Sequence, residues 1–567
     1  MPSTWNILPR EHDDLVTQLL ANRGIAPAER DIFLSPDWDR DTFSPSIFTK
    51  MNDAVAAMFT ALEKGEPIVI HGDYDADGVS GSSLLYGALT DIAEKMKYTL
   101  DLEVFLPDRE RDGYGVAMHT IERFITEGKK LLVTVDCGIA NGLELDRAFE
   151  AGLTTIVCDH HQMGTHFPNH AIILHPLAPG EPYPNKTLCG TGVAFKFASA
   201  LIDEARKRGA DFPEGYEKWF LDLVAIATVT DVMPLTGENR VLETFGLRVL
   251  NKTRRPGIRS LLVSSGTELG AIDTQVIGFR IGPRLNAAGR LSSARLAFDA
   301  LTAKTIAEAD VAALALEKLN RERQNIFRSS YKEAQAMVAA MSEAPHVLVV
   351  SSETWLPGIV GLIAGKLVND FGKPAFALTK AGDRYVGSGR TAGGLHLVEA
   401  MNACGDIFLK KGGHPQACGL TMESADQIAT FRSRVNEFAL GIFGESGPRP
   451  TIKIDTVVSP STFTLDLLNQ LDCCAPFGEG NRPPIFATLG ATVMAAEMMG
   501  ATGSHLRLTI LDSAGMVSKF VGFGIGDQAR ELNMGDKIDV AYEAGANVWN
   551  GRTEVQCRIV DVRRANG

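Results

Sequence analysis

The sequence lacks a C-x-x-C pair and lacks any run of about 18 apolar residues that would suggest a membrane helix. Its eight cysteines are scattered along 567 residues, so we expect free, buried thiols in a reducing compartment. The N-terminal residues show no basic stretch followed by an apolar run, so no secretion signal is expected. These absences together predict a cytoplasmic protein that does not associate with membranes.

Excess positive charge is also missing, since the net charge is -13. This balance argues against a protein that binds polyanions over its whole surface. Residues 251–340 are a local exception, with 14 Lys and Arg against 8 Asp and Glu. That segment could contact phosphates, although a solvated charged helix face explains the same pattern equally well.

A chain of 567 residues is too long for one hydrophobic core, so several domains are expected. Between about 67 and 176, near-continuous apolar runs alternate with helical stretches, which is typical of a doubly wound parallel sheet. In such a sheet the active site lies at the carboxyl ends of the strands. The predicted strands are PIVI (67–70), LEVFLP (102–107), KLLVTVDCG (130–138), LTTIVCD (153–159) and AIILHP (171–176).

The remaining chain divides by composition. Residues 305–342 contain no Pro or Gly and predict one long connecting helix, and a strand at 346–352 begins a second, smaller α/β domain. After a linker at 444–450, alternating runs predict a small β-barrel of the OB type. The predicted division is an N-terminal segment (1–48), a parallel-sheet domain (49–250), a helical connector (251–345), a second α/β domain (346–445) and a barrel (450–567).

An acidic cluster follows the first predicted strand. Asp73, Asp75 and Asp77 come directly after His71 and just before Gly78. Three carboxylates so close together repel one another, and a bound cation would relieve that repulsion. An acidic surface turn is the alternative interpretation.

The ends of later strands favour the metal interpretation. Carboxylates combined with imidazoles suit Mn²⁺ or Mg²⁺, whereas a zinc site would more often include cysteine. Cys137 and Cys158 stand beside these residues but would point away from them along a strand, so we interpret both as core thiols. The further acidic and histidine residues are Asp136, Asp159, His160, His161 and Asp231.

The runs DYDADG, VDCG, CDHH and TVTDVMPL, in this order, resemble the four motifs of the DHH phosphoesterase superfamily. This resemblance implies two metal ions bridged by Asp136, which together activate water for phosphodiester hydrolysis. It implies that Asp159 fixes the tautomer of a neighbouring histidine and that His161 faces the scissile phosphate. The implied ligands are Asp77, Asp136, His160 and Asp231 for one ion, and Asp75, Asp136 and either His71 or Asp73 for the other.

Further segments from about 50 to 565 are similar to the RecJ family of exonucleases within that superfamily. The similarity implies an α/β fold, with a parallel-sheet DHH domain joined by a long helix to a smaller α/β DHHA1 domain, plus a C-terminal OB-fold β-barrel. Short turns such as GSGR are weak signals when taken alone. The segments are LPDRERDGYG (106–115), IGPRLNAAGRL (281–291), LNRERQ (319–324), WLPGIVGLIAGKL (355–367), GSGR (387–390), KGGHPQACG (411–419) and PFGEGNRPPIF (476–486).

The implied activity is that of a single-stranded-DNA-specific 5′→3′ exonuclease, which releases 5′-mononucleotides in DNA repair and recombination. The implied partners are single-stranded DNA, a single-strand DNA-binding protein and a RecQ-like helicase, and a monomer is expected. A phosphodiesterase acting on short oligonucleotides or cyclic dinucleotides is the alternative, but it would need neither the barrel nor the long helix. A metal-free scaffold protein is a further alternative, which the four intact motifs disfavour.

The resemblance also implies substrate-binding residues, in a DHHA1-type domain that faces the metal domain across a cleft. Ser388, Arg390 and the backbone N–H groups near Gly412 and Gly413 would bind a terminal phosphate. Arg109 and Arg284 would be further phosphate contacts, and His414 would form a hydrogen bond near the metals. Four aromatic residues of the barrel are either base-stacking platforms or core residues: Phe520, Phe523, Tyr542 and Trp549.

Overall fold

The computed structural model describes residues 4–109, 111–341, 345–449, 451–549 and 552–565, with backbone alone at 548 and 549. The chain forms two compact units. The parallel-sheet unit contains Pro36–Ser330 and Gly478–Asn481, and the barrel unit contains Met1–Ser35, Tyr331–Phe477 and Arg482–Gly567. Within the part of the chain that the structure describes, no helix has both the length and the apolar character needed to cross a bilayer.

The N-terminal residues form short elements, and an alternation of helices and strands follows them. In chain order they are β1 (Thr4–Ile7), α1 (Leu15–Asn22), α2 (Arg30–Leu34), α3 (Trp38–Asp41), α4 (Met51–Lys64), β2 (Ile68–Gly72), α5 (Ala76–Met96), β3 (Leu102–Phe105), α6 (Met118–Thr126), β4 (Leu131–Val135), α7 (Gly142–Glu150), β5 (Thr154–Cys158), β6 (Ile172–Leu174), α8 (Gly190–Lys207), α9 (Leu221–Thr230) and α10 (Gly237–Leu250).

The five predicted strands form one parallel sheet in the order β3-β2-β4-β5-β6, which confirms the doubly wound fold. The chain moves from β2 to β3 on one side and then to β4 on the other. The strand order therefore reverses beside β2, and crevices at such switch points are where ligands bind in open α/β sheets. The acidic clusters of DYDADG and VDCG follow β2 and β4, the two strands on either side of this point.

Helix α5 packs unusually close to the sheet because its first turns carry small residues. A Cβ atom on Gly81 would lie 2.5 Å from Cγ1 of Val135, and one on Gly78 would lie 2.5 Å from the backbone N of Asp73. Both positions therefore require glycine. This close approach holds the start of α5 at the carboxyl ends of the central strands.

A set of helices leads out of the parallel sheet. They are α11 (Pro256–Ser264), α12 (Thr274–Val276), a π-helical turn (Ile277–Ile281), α13 (Gly282–Leu291), α14 (Arg295–Thr302) and α15 (Ile306–Ala339). With 34 residues, α15 is the predicted long helix.

The barrel unit contains two folded regions. Their elements are β7 (Leu348–Ser351), α16 (Val360–Phe371), β8 (Ala375–Ala381), β9 (Arg384–Arg390), α17 (Leu397–Ala403), β10 (Lys410–Gly413), β11 (Ala417–Met422), α18 (Asp426–Phe443), β12 (Thr451–Ile454), β13 (Thr456–Val457), α19 (Leu465–Leu471), β14 (Phe486–Met499), β15 (His505–Leu511), β16 (Val517–Gly522), β17 (Lys537–Trp549) and β18 (Arg552–Arg564).

The smaller α/β domain has a mixed sheet in the order β10-β11-β9-β8-β7, in which only β7 and β8 are parallel. The C-terminal strands β14, β15, β16, β18 and β17 pair successively, and β17 pairs back to β14. This last pairing closes a five-stranded barrel and confirms the predicted OB-fold. The long strand β14, FATLGATVMAAEMM, lies outside the alternating runs that best predict the barrel, which are IKIDTVV, HLRLTIL, SKFVGFG, KIDVAYEA and EVQCRIVDV.

The N-terminal residues complete the barrel domain. Strand β1 pairs in parallel with β12, and the indole Nε1 of Trp5 donates a hydrogen bond to Asp561 at 2.7 Å. The guanidinium of Arg563 covers the other side of the Trp5 ring at 4.1 Å from its centroid. Removing the C-terminal domain would therefore also leave β1 without its pairing partner.

Burial inside the barrel shows whether two of the aromatic residues are core residues or base-stacking platforms. Phe520 and Tyr542 are completely buried, so both are core residues. Phe523 is 55% exposed, and the ring of His505 packs edge-on against it with 5.3 Å between centroids. The side chain of Trp549 lies outside the described residues.

Glu243 of α10 is a carboxyl group in the interior of the parallel-sheet unit, where burial costs free energy of folding. It is fully buried, and neither carboxyl oxygen has a hydrogen-bond partner among the described residues. Burial therefore raises its pKa well above the usual value. Because the unfolded chain keeps the ordinary pKa, the stability linked to this proton is present at low pH. It is lost as the pH rises toward the folded-state pKa.

We expect Glu243→Met to stabilise the protein by about 1–3 kcal/mol near pH 8, because it removes a buried acceptor that has no donor. The gain should shrink near pH 5, where the wild-type carboxyl is protonated in the folded state at little cost. Thermal unfolding midpoints at the two pH values provide the measurement. Glu214→Met, at an exposed position, is the control. Equal shifts at both pH values would contradict the assignment.

Candidate metal centre

The sequence-predicted carboxylates converge at the carboxyl ends of β2, β4 and β5. Asp73 and Asp75 follow β2, Asp136 follows β4, and the Asp159–His161 turn follows β5. Asp136 adopts a left-handed backbone with φ of 63°, which is rare for a residue other than glycine. Such strain is tolerated where the surrounding structure fixes a functional side chain.

Three overlapping groups of side chains in the described chain have ligand atoms within 4.8 Å of one another. Imidazole and carboxylate atoms occur in two of the groups, and the third contains only carboxylates. The groups are Asp136 with His160 and His161, Asp77 with His160 and Asp231, and Asp73 with Asp75 and Asp136.

These groups contain buried polar atoms that the protein itself does not satisfy. The atoms are Asp73 Oδ1, Asp136 Oδ1, His160 Nε2 and Asp231 Oδ2, and none has a hydrogen-bond partner among the described residues. A buried acceptor without a partner usually costs about 1–3 kcal/mol, so four of them at one place call for a ligand. A divalent cation is the ligand that suits carboxylate oxygens and imidazole nitrogen together.

His160 lies at the centre of this arrangement. Its Nε2 is 3.2 Å from Oδ1 of Asp136, 3.4 Å from Oδ2 of Asp231 and 3.8 Å from Oδ2 of Asp77. Burial, followed by the neighbouring charge of His161, lowers the pKa of His160 to about 4. The imidazole is therefore neutral at physiological pH, which is the form that binds a metal ion.

Four carboxyl groups of the site have raised pKa values. Burial raises the pKa of Asp73, Asp75, Asp136 and Asp231, and repulsion between neighbouring carboxylates adds to it. Asp77 is the largest single source of that repulsion for Asp75, Asp136 and Asp231, and Asp75 is the largest for Asp73. A divalent cation would reverse these shifts by favouring the charged forms.

Asp77 is held by the N-terminus of helix α8. The backbone N–H groups of Gly190 and Thr191 donate to its two carboxylate oxygens at 2.8 and 2.7 Å, and the Thr191 hydroxyl donates to its carbonyl. Free N–H groups and the helix dipole at this end favour a negative charge. A Cβ on Gly190 would lie 2.6 Å from Cβ of Asp136, so only glycine lets the helix approach.

Asp159 orders the turn that carries both histidines. Its Oδ1 accepts hydrogen bonds from the backbone N–H groups of His160 and His161 and from the ring Nδ1 of His161. Its Oδ2 accepts a hydrogen bond from the backbone N–H of Ile139. Burial alone would raise its pKa, but the bond to His161 and the charges of both histidines hold that pKa well below the usual value. The hydrogen bond that Asp159 accepts thus fixes the orientation of the His161 ring, whereas the predicted control of a histidine tautomer stays a prediction.

His161 has the opposite electrostatic character from His160. Burial works against its charge, but the hydrogen bond and charge of Asp159 raise its pKa to about 9. The ring therefore carries a positive charge at neutral pH, at the edge of a cluster of carboxylates. Such a group is suited to a phosphoryl oxygen, and the role of His161 at the scissile phosphate stays a prediction.

The sequence left open whether His71 or Asp73 completes a metal site. Asp73 lies with Asp75 and Asp136, whereas His71 belongs to none of the three groups found in the described chain. His71 is buried, its Nδ1 lies 3.6 Å from Sγ of Cys137, and burial lowers its pKa to about 4. The geometry favours Asp73, and the assignment remains a prediction.

Two residues that the sequence did not single out support the site. The Tyr114 hydroxyl donates to the backbone oxygen of Asp136 at 3.3 Å, and its ring packs edge-on against His161 with 5.3 Å between centroids. Asn141 holds the loop that carries Tyr114, through hydrogen bonds to both the N–H and the C=O of Val116. The aromatic residue between two glycines in DGYG was the available signal for Tyr114.

The predicted phosphate-binding residues of the smaller α/β domain also lie together. Arg390 donates to the Ser388 hydroxyl at 2.6 Å and to the Gly389 carbonyl at 2.7 Å. No carboxylate pairs with Arg390 in the described chain, and burial lowers its pKa. The guanidinium lies against the first turn of α16, where a Cβ on Gly361 would be 3.0 Å from it. His414 is exposed in the turn between β10 and β11.

Arg109 and Arg284 have partners within the parallel-sheet unit. The guanidinium of Arg109 stacks on the Tyr74 ring at 3.9 Å and donates to the Gly289 carbonyl at 3.1 Å. Arg284 forms an ion pair with Glu317 at 2.7 Å. Arg284 therefore links α13 to α15, and its contact with phosphate stays a prediction.

Domain comparisons support this interpretation of the chain. Residues 67–228 match the DHH family, N-terminal domain; residues 344–440 match the DHHA1 domain; and residues 454–561 match the RecJ OB domain. All three occur in the order that the sequence predicted.

Relatives and solved structures match most of the chain. The single-stranded-DNA-specific exonuclease RecJ of Bacillus subtilis is 34% identical, over 96% of this chain and 67% of that protein. The protein of the same name from Thermus thermophilus is 30% identical, over 91% of this chain and 71% of its own. The crystal structure of RecJ from Thermus thermophilus with Mn²⁺ superposes on this chain with a TM-score of 0.82 and 27% sequence identity, over 97% of this chain and 76% of that one. The structure of RecJ from the same organism with Mg²⁺ gives a TM-score of 0.76 and 25% identity, over 97% of this chain and 75% of that one.

Gly190→Ala should weaken Mn²⁺ binding about tenfold or more, the range seen when groups behind metal ligands are disturbed. The added methyl group would displace Asp136 and the N–H donors of Asp77 together. Titration calorimetry with Mn²⁺ measures the effect. Gly441→Ala is the matched control, because a Cβ there meets nothing within 4 Å. Unchanged Mn²⁺ affinity in Gly190→Ala would contradict this account of the site.

Proposed function

We propose that this chain, which belongs to the RecJ family of single-stranded-DNA-specific exonucleases, removes nucleotides from the 5′ end of single-stranded DNA. The reaction is hydrolysis of phosphodiester bonds with release of 5′-mononucleotides. The observation that carries the proposal is the cluster of four unsatisfied ligand atoms on buried or half-buried residues at the switch point of the parallel sheet. The match of the DHH, DHHA1 and RecJ OB domains supports the choice of substrate.

Mn²⁺ or Mg²⁺ is the proposed cofactor. Asp77, Asp136, His160 and Asp231 would hold one ion, and Asp73, Asp75 and Asp136 would hold the other. When bound, two such ions lower the pKa of a shared water and neutralise charge on the phosphoryl oxygens. The metal complexes of the Thermus thermophilus protein support a divalent-cation site in the family.

The chain's own residues orient this chemistry. Asp136 is fixed by its strained backbone and by the close approach of Gly190, so its two oxygens can serve both ions. Asp159 holds the proton on Nδ1 of His161, which leaves Nε2 of that ring as a donor to a phosphoryl oxygen. The positive charge of His161 would then stabilise the additional negative charge of the transition state.

Recognition of the 5′ end is assigned to Arg390 and Ser388. A terminal phosphate carries more charge than an internal phosphodiester and lacks a neighbouring nucleotide, so a half-buried guanidinium can distinguish it. Arg390 has no carboxylate partner in the described chain and lies beside the start of α16. Arg109, Arg284 and His414 are proposed as further substrate contacts on the strength of the resemblance.

The barrel is proposed to hold the strand beyond its end. On the paired strands β15 and β16, Arg507 and Lys519 are exposed, and Phe523 follows β16 with its ring half exposed. Exposed aromatic and basic residues together suit a single strand, because bases stack on the ring while phosphates meet the charges.

The cellular setting is also a proposal. We place the protein in the cytoplasm as a monomer in DNA repair and recombination, with a single-strand DNA-binding protein and a RecQ-like helicase as partners. All eight cysteines are free, which supports a reducing compartment. We also propose the domain bounds 49–250, 251–345, 346–445 and 450–567, with 1–48 as a separate segment; the three matched domains fall inside these bounds to within about two residues.

Asp136→Ala should abolish hydrolysis while single-stranded DNA still binds, because it removes the one ligand shared by both ions. Release of labelled nucleotide and fluorescence anisotropy measure the two properties. Cys137→Ser, at the next and equally buried position, should retain activity and serves as the control. An Asp136→Asn variant with more than a few per cent of wild-type activity would refute the bridging role.

Polarity is tested with end-labelled single strands. The wild type should prefer a 5′-phosphorylated strand, and Arg390→Ala should lose that preference while still cutting unphosphorylated strands. Arg384→Ala changes an exposed arginine of the same strand, β9, and should keep the preference. Release of labelled mononucleotide as the first product from a 3′ label would contradict the proposal. Equal cutting of closed circles and linear strands would favour an endonuclease or short-substrate phosphodiesterase instead.

A further inference from the structure

Helix α13 contacts the metal-binding loop through Asn286. The side-chain oxygen Oδ1 of Asn286 accepts a hydrogen bond from the backbone N–H of Ala76 at 2.8 Å, across 210 positions in sequence. Ala76 lies between Asp75 and Asp77, one from each proposed metal site. The segment IGPRLNAAGRL therefore reaches the centre of the DYDADG loop with a residue that has no assigned role.

This bond satisfies a specific need of helix α5. The first N–H groups of a helix have no partner within the helix. Asp77 N and Gly78 N bond to the side chain of Asp75, and Val79 N bonds to its carbonyl, which leaves Ala76 N. Asn286 supplies the missing acceptor, and the peptide that carries the Asp75 carboxylate is fixed from outside the loop.

Two more contacts hold α13 against the same loop. A Cβ on Gly289 would overlap the backbone oxygen of Tyr74, so this position admits no larger residue while the two backbones stay in place. The guanidinium of Arg109 covers one face of the Tyr74 ring and also donates a hydrogen bond to the carbonyl of Gly289. The far side of α13 is tied to α15 by the ion pair of Arg284 and Glu317.

We propose that Asn286 is a positioning residue for the metal centre, which acts by holding the Asp75–Asp77 segment in its ligating conformation. The inference rests on the proposed metal-dependent function and deepens it. Asn286 acts through the Ala76 peptide, because its hydrogen bond is with that N–H group. Without this acceptor, the loop would gain freedom that metal binding must then remove. Metal affinity should therefore fall, while a loop already loaded with metal should react normally.

The test compares Asn286→Ala with the wild type in full-length protein. We expect a Mn²⁺ dissociation constant about tenfold higher by titration calorimetry, in line with other groups behind metal ligands. Hydrogen exchange of the Ala76 amide in metal-free protein should become faster. At limiting Mn²⁺ the rate of DNA hydrolysis should fall, and saturating Mn²⁺ should restore kcat with the KM for DNA unchanged.

Three further variants separate positioning from general loss of structure. Asn286→Asp keeps an acceptor oxygen and should restore protection of the Ala76 amide. Gly289→Ala should weaken Mn²⁺ binding as Asn286→Ala does, because it pushes α13 off the loop. Asn251→Ala is the matched control, since this side-chain amide also bonds to backbone outside its own helix, at Ile272, but does not contact the loop.

The outcomes decide between distinct failures. If the wild type binds Mn²⁺ and Asn286→Ala binds it equally well, Asn286 does not position the centre. If Asn251→Ala weakens Mn²⁺ binding as strongly, the effect is general destabilisation and the proposal is overturned. If the wild type itself binds no Mn²⁺ or Mg²⁺, the proposed function fails before this inference is reached.

Discussion

Mutual repulsion among buried carboxylates is the constraint around which the parallel-sheet unit is arranged. Asp73, Asp77 and Asp136 are buried and Asp75 is half-buried, so little solvent remains to screen their charges. Backbone N–H donors and the charged ring of His161 offset part of this repulsion. The N-termini of α5 and α8 both point at the cluster, so partial positive charges balance part of the repulsion and bound cations would balance the rest.

The same constraint explains the local backbone. Helix α8 can bring its N–H groups to Asp77 only because Gly190 has no side chain, and Asp136 enters the crevice on a left-handed backbone. Tight backbone approaches at Gly78 and Gly289 place the loop between two helices. Each of these features costs conformational freedom or strain. The compensation is a set of ligand atoms fixed before any ion arrives, which lowers the cost of binding one.

Much of this was predictable because the informative residues are local in sequence. Asp73, Asp75 and Asp77 stand together, and the apolar runs that end just before Asp136 and His160 place both residues at the same sheet edge. The strand β14 was missed because its several Ala residues, its Gly and its Glu carry little β propensity; it is stabilised by pairing with β15 and β17. The contacts of Arg284 with Glu317 and of Ala76 with Asn286 could not be predicted from the sequence either, because only the tertiary fold brings these positions together.

The neighbouring histidines show how far local sequence falls short of chemistry. His160 and His161 are adjacent, yet the pKa of one is lowered to about 4 and that of the other is raised to about 9. The difference comes from Asp159, whose side chain bonds to the ring of His161 and only to the backbone of His160. One ring is thereby neutral, which is the form that a metal ion would require, and the other is charged, as a contact with phosphate would require. A single carboxylate thus gives two adjacent histidines opposite electrostatic character.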